Sequence, residues 1–251
     1  METLEYENLI LELSEDGTQY KVVGCQEDAE RVVIPFKVNG IPVMGIGDEA
    51  FLNKTKLKEV EFPSDEEFAG RIFDDFPIGT YAFRGCSSLK TIYIPGGITE
   101  IGWGAFQYCM QLEEVEMHRC YVAPYAFYHC ESLKKISPIM RLVSEGTFSH
   151  CKALEVFPVA DDVETLEEDC FEHCYALTEI VIPKSVTRIE PLAFRNCRGL
   201  KKVVFEEPNG WRGGNRYSRA SGSLELSNPE NNARWLATMD FDDGETGWYR
   251  K

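Results

Sequence analysis

Seven times along the chain the same short cassette returns at nearly constant spacing. Its anchors are Ala50-Phe51, Ala82-Phe83, Ala105-Phe106, Ala126-Phe127, Thr147-Phe148, Cys170-Phe171 and Ala193-Phe194, with steps from Phe to Phe of 32, 23, 21, 21, 23 and 23 residues. Three residues after each Phe but the first comes a cysteine (Cys86, Cys109, Cys130, Cys151, Cys174, Cys197); the first has Lys54 there. Three residues further on is always a leucine: Leu57, Leu89, Leu112, Leu133, Leu154, Leu177 and Leu200. A fixed period of this length marks a stacked-repeat architecture. One unit this short cannot bury its own Leu, Ile and Phe; stacked units can, each covering the next.

Two units show the rest of the cassette. Leu89-Lys-Thr-Ile-Tyr-Ile-Pro leads through Ile98-Thr-Glu-Ile101 to Ala105-Phe106, and Leu177-Thr-Glu-Ile-Val-Ile-Pro leads through Val186-Thr-Arg-Ile189 to Ala193-Phe194. Leu-x-x-Ile-x-Ile alternates with period two and is stopped by Pro, which predicts a short strand with one buried face. Val-Thr-x-Ile predicts a second extended piece, and Ala-Phe-x-x-Cys-x-x-Leu a compact arc or a turn of 3₁₀ helix. The pattern closely resembles the BspA-type leucine-rich repeat, over about residues 20–205. The expected fold is therefore a repeat solenoid with short parallel strands, one or two per turn, and non-helical or 3₁₀ arcs. Three departures are local. Met117-His-Arg-Cys lacks the Ile-Pro step, the unit at Leu154 compresses to Leu-Glu-Val-Phe-Pro, and extra residues stand within Ser64–Pro77. In that insertion Phe68 and Ile72 are four apart, as on one face of a short helix, with Phe73 and Phe76 beside them. It reads as a bulge packing on its own turn or as a protrusion for a partner.

A solenoid exposes apolar edges and needs caps. Residues 1–45 read as an N-terminal hairpin and lead-in: Leu9, Leu11 and Leu13 alternate, Asp16-Gly17 turns, and Tyr20 and Val22 resume the alternation. Seven repeats fill residues 46–205, and residues 206–251 form a C-terminal β/α cap, all in one continuous structural domain. In the C-terminal cap Leu224 and Leu226 fit a short strand. Asn228-Pro229 starts a helix with Ala233, Leu236 and Ala237 on one face, and Trp211, Trp235 and Trp248 cover the last repeat.

Familiar chemistry finds little support. Gly45-Ile-Gly-Asp-Glu-Ala50 is a loose dinucleotide fingerprint, but it is only the first repeat's Ile-Gly-x-x-Ala-Phe step. There is no Gly-x-Ser-x-Gly, phosphate loop or His-Glu-x-x-His. No catalytic residue is nominated, and the chain reads as a non-enzyme without cofactors. The repeat cysteines stand one per turn, unlike the close pairs of zinc sites, and fit small hydrophobes; a disulfide ladder is the alternative. Cys25 and Cys120, off the pattern, are the thiols expected at the surface. His129, His150 and His173 each precede a repeat Cys, so they stack in a column. Asn53, Gly85, Tyr108 and Asn196 share that slot, so positive φ explains it better than a metal set.

Function is expected in protein–protein recognition, which the resemblance also implies, including adhesion at surfaces. The outward strand positions nominated for a partner are Glu61, Thr91, Tyr93, Glu114, Glu116, Lys135, Glu179 and Lys202, with Tyr93 the aromatic anchor. The alternatives are a spacer without a dedicated ligand, or carbohydrate or metal binding at the C-terminal tryptophans or the histidine column. With 42 acidic and 26 basic residues the chain carries −16, which repels nucleic acid. Asp161, Asp162, Glu164, Glu167, Glu168, Asp169 and Glu172 are the densest acids; Arg195, Arg198, Lys201, Lys202, Arg212, Arg216 and Arg219 gather further on. No apolar run is long enough for membrane insertion. The first residues carry no secretory leader, so the expectation is a cytoplasmic monomer, or a secreted or cell-surface protein if a leader has been removed.

Overall fold

The computed structural model describes residues 2–69, 75–215, 222–223, 226–238 and 246–250. They form a β-solenoid of about eight turns, here called rungs, with little helix. Each rung runs from a first strand through a second strand to an arc. The first strands are Arg31–Val33, Glu59–Glu61, Thr91–Ile94, Glu114–Met117, Lys135–Ile136, Glu179–Ile182 and Lys202–Phe205. In the sixth rung this strand shrinks to a single bridge, Val156 to Glu179. The second strands include Ile41–Ile46, Pro77–Ile78, Glu100–Ile101, Tyr121–Val122, Leu142–Val143, Thr165–Leu166 and Arg188–Ile189. Pairing is parallel and in register, as in Thr91↔Glu114↔Lys135 and Thr165↔Arg188.

The arcs contain no 3₁₀ helix. They too are stacked by backbone hydrogen bonds: Phe83 N to Ala105 O at 2.7 Å, and His129 N to Ser149 O at 2.9 Å. Turning every second N–H toward the next rung requires left-handed residues. Each arc has two, four apart. One column is Asn53, Gly85, Tyr108, His129, His150, His173 and Asn196; the other is Glu49, Tyr81, Gly104, Tyr125, Gly146, Asp169 and Leu192. Between them the seven repeat phenylalanines form one stacked column, with centroids 4.8–5.8 Å apart and ring planes within 14°. All seven are buried.

The N-terminal cap has one strand more than the expected hairpin. β1 (Thr3–Tyr6), β2 (Leu9–Leu13) and β3 (Tyr20–Cys25) form an antiparallel meander, and β3 pairs parallel with Ile41–Ile46. The first turn was hidden because Glu7, not a glycine, takes φ 52°. Residues 64–69 do form a short helix, α1 (Asp65–Ala69), closed by a capping box between Ser64 and Glu67. Phe68 is buried against Phe76 at 5.4 Å and lies over Gly97, so this part of the insertion packs on its own solenoid. Ile72 and Phe73 lie outside the described residues.

At the other end Thr246–Arg250 adds antiparallel to Arg188–Ile189, and Trp211–Asn215 pairs with it in turn. α2 (Pro229–Thr238) is capped by Asn228 Oδ1, which accepts from the N–H groups of Glu230 and Asn231 at 3.0 Å each. The fully buried Asn232 donates to Val203 O at 3.0 Å and Leu226 O at 3.1 Å, closing the open edge of the last strand. Trp211 and Trp248 are buried beside Phe205. Trp235 is 39% exposed and only edges Trp248, so it does not cover the last repeat as the sequence suggested. Leu226 is buried but outside any strand; the short strand is Gly222–Ser223. Leu224, Arg216 and Arg219 lie outside the described residues.

Candidate functional site

The alternation that buries Ile92 and Ile94 turns Thr91 and Tyr93 outward. All eight nominated positions lie on this strand face. Glu61, Thr91, Tyr93, Glu116, Lys135 and Lys202 are exposed; Glu114 and Glu179 are half-buried. They are largely committed to one another. Lys135 pairs with Glu114, Lys202 with Glu179, and Arg31 with Glu61 and Glu59. Tyr93 is 41% exposed, but its hydroxyl donates to Asp65 and lies 3.0 Å from His118 Nε2. The bond to Asp65, before all else, pushes the phenol up to about 12. Tyr93 is thus a fixed ring, tied to α1.

The most exposed aliphatic side chain of this face was not among the nominated positions. Val156 stands two residues after Leu154, as Thr91 does after Leu89, and is 61% exposed. The offset alone would have found it. Pro158 ends the strand early and Phe157 turns in against Phe148 and Phe171 at 5.0 and 4.8 Å. The missing strand leaves a shallow groove of ≈ 580 Å³ lined by Glu116, Ile136, Pro138, Glu155, Val156 and Pro158. Val181, 43% exposed, is the other open aliphatic side chain of the stripe.

On the arc face the histidine column has φ 59°, 65° and 59° at His129, His150 and His173. The rings stack, His129 on His150 at 4.1 Å and 9°, His150 on His173 at 4.3 Å and 25°. Ligand atoms of His150, Glu172 and His173 lie within 4.8 Å of one another. Imidazole lone pairs lie in the ring plane, so near-parallel rings do not aim at one ion, and Glu172 Oε1 already accepts from Arg195 Nε at 2.7 Å. Burial, then His129 and His173, depress His150 to about 4. Burial, then the carboxylates of Glu172, Glu168 and Glu145, raise Asp169 to about 6, against Arg195.

All nine cysteines are free and buried. Cys25 and Cys120 are only 4% and 3% exposed, contrary to expectation, because both extend the core beyond the repeat positions. Each repeat thiol donates to the phenylalanine carbonyl one rung back, as Cys130 Sγ does to Phe106 O at 3.2 Å. Burial pushes Cys86 and Cys120 up to about 12, as inert thiols require.

The same face carries an aromatic series that sequence reading missed. Tyr81 meets Trp103 at 4.9 Å, Trp103 meets Tyr125 at 5.3 Å, and Tyr125 meets Tyr128 at 5.8 Å. Trp103 is 39% exposed. The predicted acidic segment divides: Asp162 pairs with Arg119, while Glu172 is buried on Arg195.

The model of the BspA type leucine rich repeat region matches residues 45–141 and 121–214, in six copies. Among solved structures, a leucine-rich cell-surface protein from Faecalibacterium prausnitzii A2-165 is similar at 26% identity and TM-score 0.66, over 84% of this chain and 56% of that one. A leucine-rich repeat protein from Eubacterium ventriosum matches at 20% identity and TM-score 0.61, over 88% and 54%. One from T. pallidum matches at 21% and TM-score 0.51, over 82% and 84%. The chain thus spans little more than half the length of the first two. No curated protein matches. Among the described residues no helix is long and apolar enough to cross a membrane.

Proposed function

Since the chain belongs to the BspA-type leucine-rich repeat family, we propose that it is a non-catalytic, monomeric recognition module that binds a protein partner across the strand face. The observation that carries this is the groove at the sixth rung, lined by Val156, with Val181 open on the next rung, in a stripe where Lys135–Glu114, Lys202–Glu179 and Arg31–Glu61 are closed into ion pairs. Apolar side chains at the centre of a polar rim are the usual anchors of a protein contact. Glu116, Lys135 and Glu179 supply that rim. The similarity to a protein described as cell-surface supports display and recognition outside the cell.

The test places a photo-crosslinking residue at Val156, and separately at Tyr121, which is 44% exposed on a second strand. In cells that make the protein, a discrete adduct from position 156 alone supports the reading. Equal, diffuse labelling from both positions refutes it. That result favours the spacer alternative, for which the self-paired charges of the strand face speak.

A further inference from the structure

We propose that the arc face of rungs two to six docks an arginine-rich, extended segment of a partner protein. The site is independent of the strand stripe. Its spine is the column of residues two places before each Ala-Phe step: Trp103, Pro124, Glu145 and Glu168 follow one another. The neighbouring backbone confirms the stacking, with Gly104 N bonded to Pro124 O, Tyr125 N to Glu145 O and Gly146 N to Glu168 O at 2.9–3.1 Å. An exposed indole thus shares one line with two carboxylates.

The surface is built in advance. A Cβ at Gly104 would lie 2.7 Å from Tyr81 Cε1, and one at Gly146 only 2.4 Å from Tyr125 Cε1. Both tyrosines therefore lie flat on the next rung only because glycine fills the slot. Tyr125 is further held by a hydrogen bond from its hydroxyl to Glu145. Ordered aromatic surface needs little further ordering on binding.

The chemistry of the occupant follows from two observations. First, the face already holds a guanidinium: Arg84 lies 4.8 Å from the Tyr81 centroid and 5.6 Å from that of Tyr108. Among the described residues no cation lies over Trp103. Second, the rungs beyond Trp103 are acidic. Glu145, Glu167, Glu168 and Asp169 gather there, and Asp169 Oδ1 is buried without a hydrogen-bond partner, the Arg195 guanidinium standing off at 4.0 Å. Burial first, and then this crowding of carboxylates, raises Asp169. A planar cation that stacks on indole and pairs with carboxylate in a bidentate manner is arginine, more than lysine. Rungs are ~4.8 Å apart, so Trp103 and Glu145, two rungs apart, lie about 10 Å apart along the axis, close to the ~9.3 Å of one three-residue turn of polyproline II, which brings every third side chain back to the same face. Arginines at every third position fit this spacing.

The experiment uses a labelled synthetic peptide with arginine at every third position and Gly/Ser between. Its binding to the whole chain is followed by fluorescence anisotropy. Binding should weaken about tenfold in Trp103→Ala, and by a similar factor in the double variant Glu145→Gln/Glu168→Gln, which keeps the acceptor for Tyr125. The control Glu5→Gln/Glu15→Gln makes the same charge change on the exposed N-terminal cap and should leave affinity unchanged; a lysine version of the peptide should bind several-fold more weakly. Equal weakening by the control pair, or indifference to both arc-face variants, would overturn the proposal. So would Trp103-dependent binding of a neutral oligosaccharide such as cellohexaose in place of the peptide. If Trp103→Ala does not fold, the double variant and its control still decide.

Discussion

Replacing Phe127 by alanine should cut the solenoid's stability at its middle. The ring is fully buried, with Phe106 at 5.4 Å on one side and Phe148 at 5.8 Å on the other. Phe→Ala in a packed core costs about 3–5 kcal/mol, and each stacked pair adds ~0.5–1.5 kcal/mol beyond burial. We expect about 4 kcal/mol, a large part of the roughly 5–15 kcal/mol available to a domain. The location should matter as much as the size. In a nearest-neighbour array the lost contacts belong to two rung interfaces, so neighbouring rungs open first. Phe51→Ala is the comparison, because Phe51 stacks on Phe83 alone among the ring column and should cost about 1 kcal/mol less. Urea titration by circular dichroism gives the totals, and amide hydrogen exchange gives the distribution. Protection should fall most across residues 106–148 and least in the first and last strands. A loss under about 1.5 kcal/mol would show that the ring column does not hold the rungs together. A uniform loss of protection, identical for both variants, would refute nearest-neighbour stacking in favour of one cooperative block.

Acidity should act on the arc face through two opposed groups. His150 is held near 4, so the folded state binds its proton late and stability falls as pH drops from about 6.5 toward 4; Asp169 is held near 6, so stability falls as pH rises from about 4 to 6. His150→Asn should therefore flatten the acid-side fall in melting temperature, and Asp169→Asn should raise the melting temperature at neutral pH but not at about pH 4; the reverse pattern would refute both assignments. Cys130→Ser should destabilise by roughly 1–3 kcal/mol, toward the lower end, because Phe106 O still offers an acceptor to the hydroxyl; a chemical-denaturation midpoint equal to that of the parent would contradict this. Truncation at Glu207 removes Trp211, Trp248 and the Asn232 bonds, with each buried indole contributing about 1.5–3 kcal/mol, so aggregation or melting from the C-terminal end is expected. A truncated chain that stays monomeric with an unchanged melting temperature would overturn the cap assignment.

The phenylalanine, cysteine and leucine positions were enough to read the stacking, because each lies at a fixed offset and all point inward. The faces of the first strands followed from alternation, and positive φ at His129, His150 and His173 followed from the Gly and Asn that share their slot. The second left-handed column was not legible. Glu49, Leu192 and Tyr81 do not favour that conformation by type; the bonds between rungs impose it. Cys25 and Cys120 misled for a related reason, since a core position outside the period leaves no mark in it. The aromatic series was hidden because Trp103 and Tyr125 sit at different offsets from their Ala-Phe steps, and only stacking brings them together. Tyr93 was read correctly as outward, but its tether to Asp65 depends on a helix 28 residues earlier in the chain, which only the stacking of the rungs brings alongside.

The bonds from thiol to carbonyl give the molecule a gauge of its own opening. Each of Cys86, Cys109, Cys130, Cys151, Cys174 and Cys197 is attached to the rung before it, through the carbonyl of Phe51, Phe83, Phe106, Phe127, Phe148 and Phe171 in turn. An alkylating reagent can reach such a sulfur only when those two rungs part. Its rate at each cysteine, read by peptide mass, therefore reports the opening of one named seam. Six seams can be timed in a single untouched chain, with no probe introduced, and the order in which they yield traces the route by which the stack comes apart.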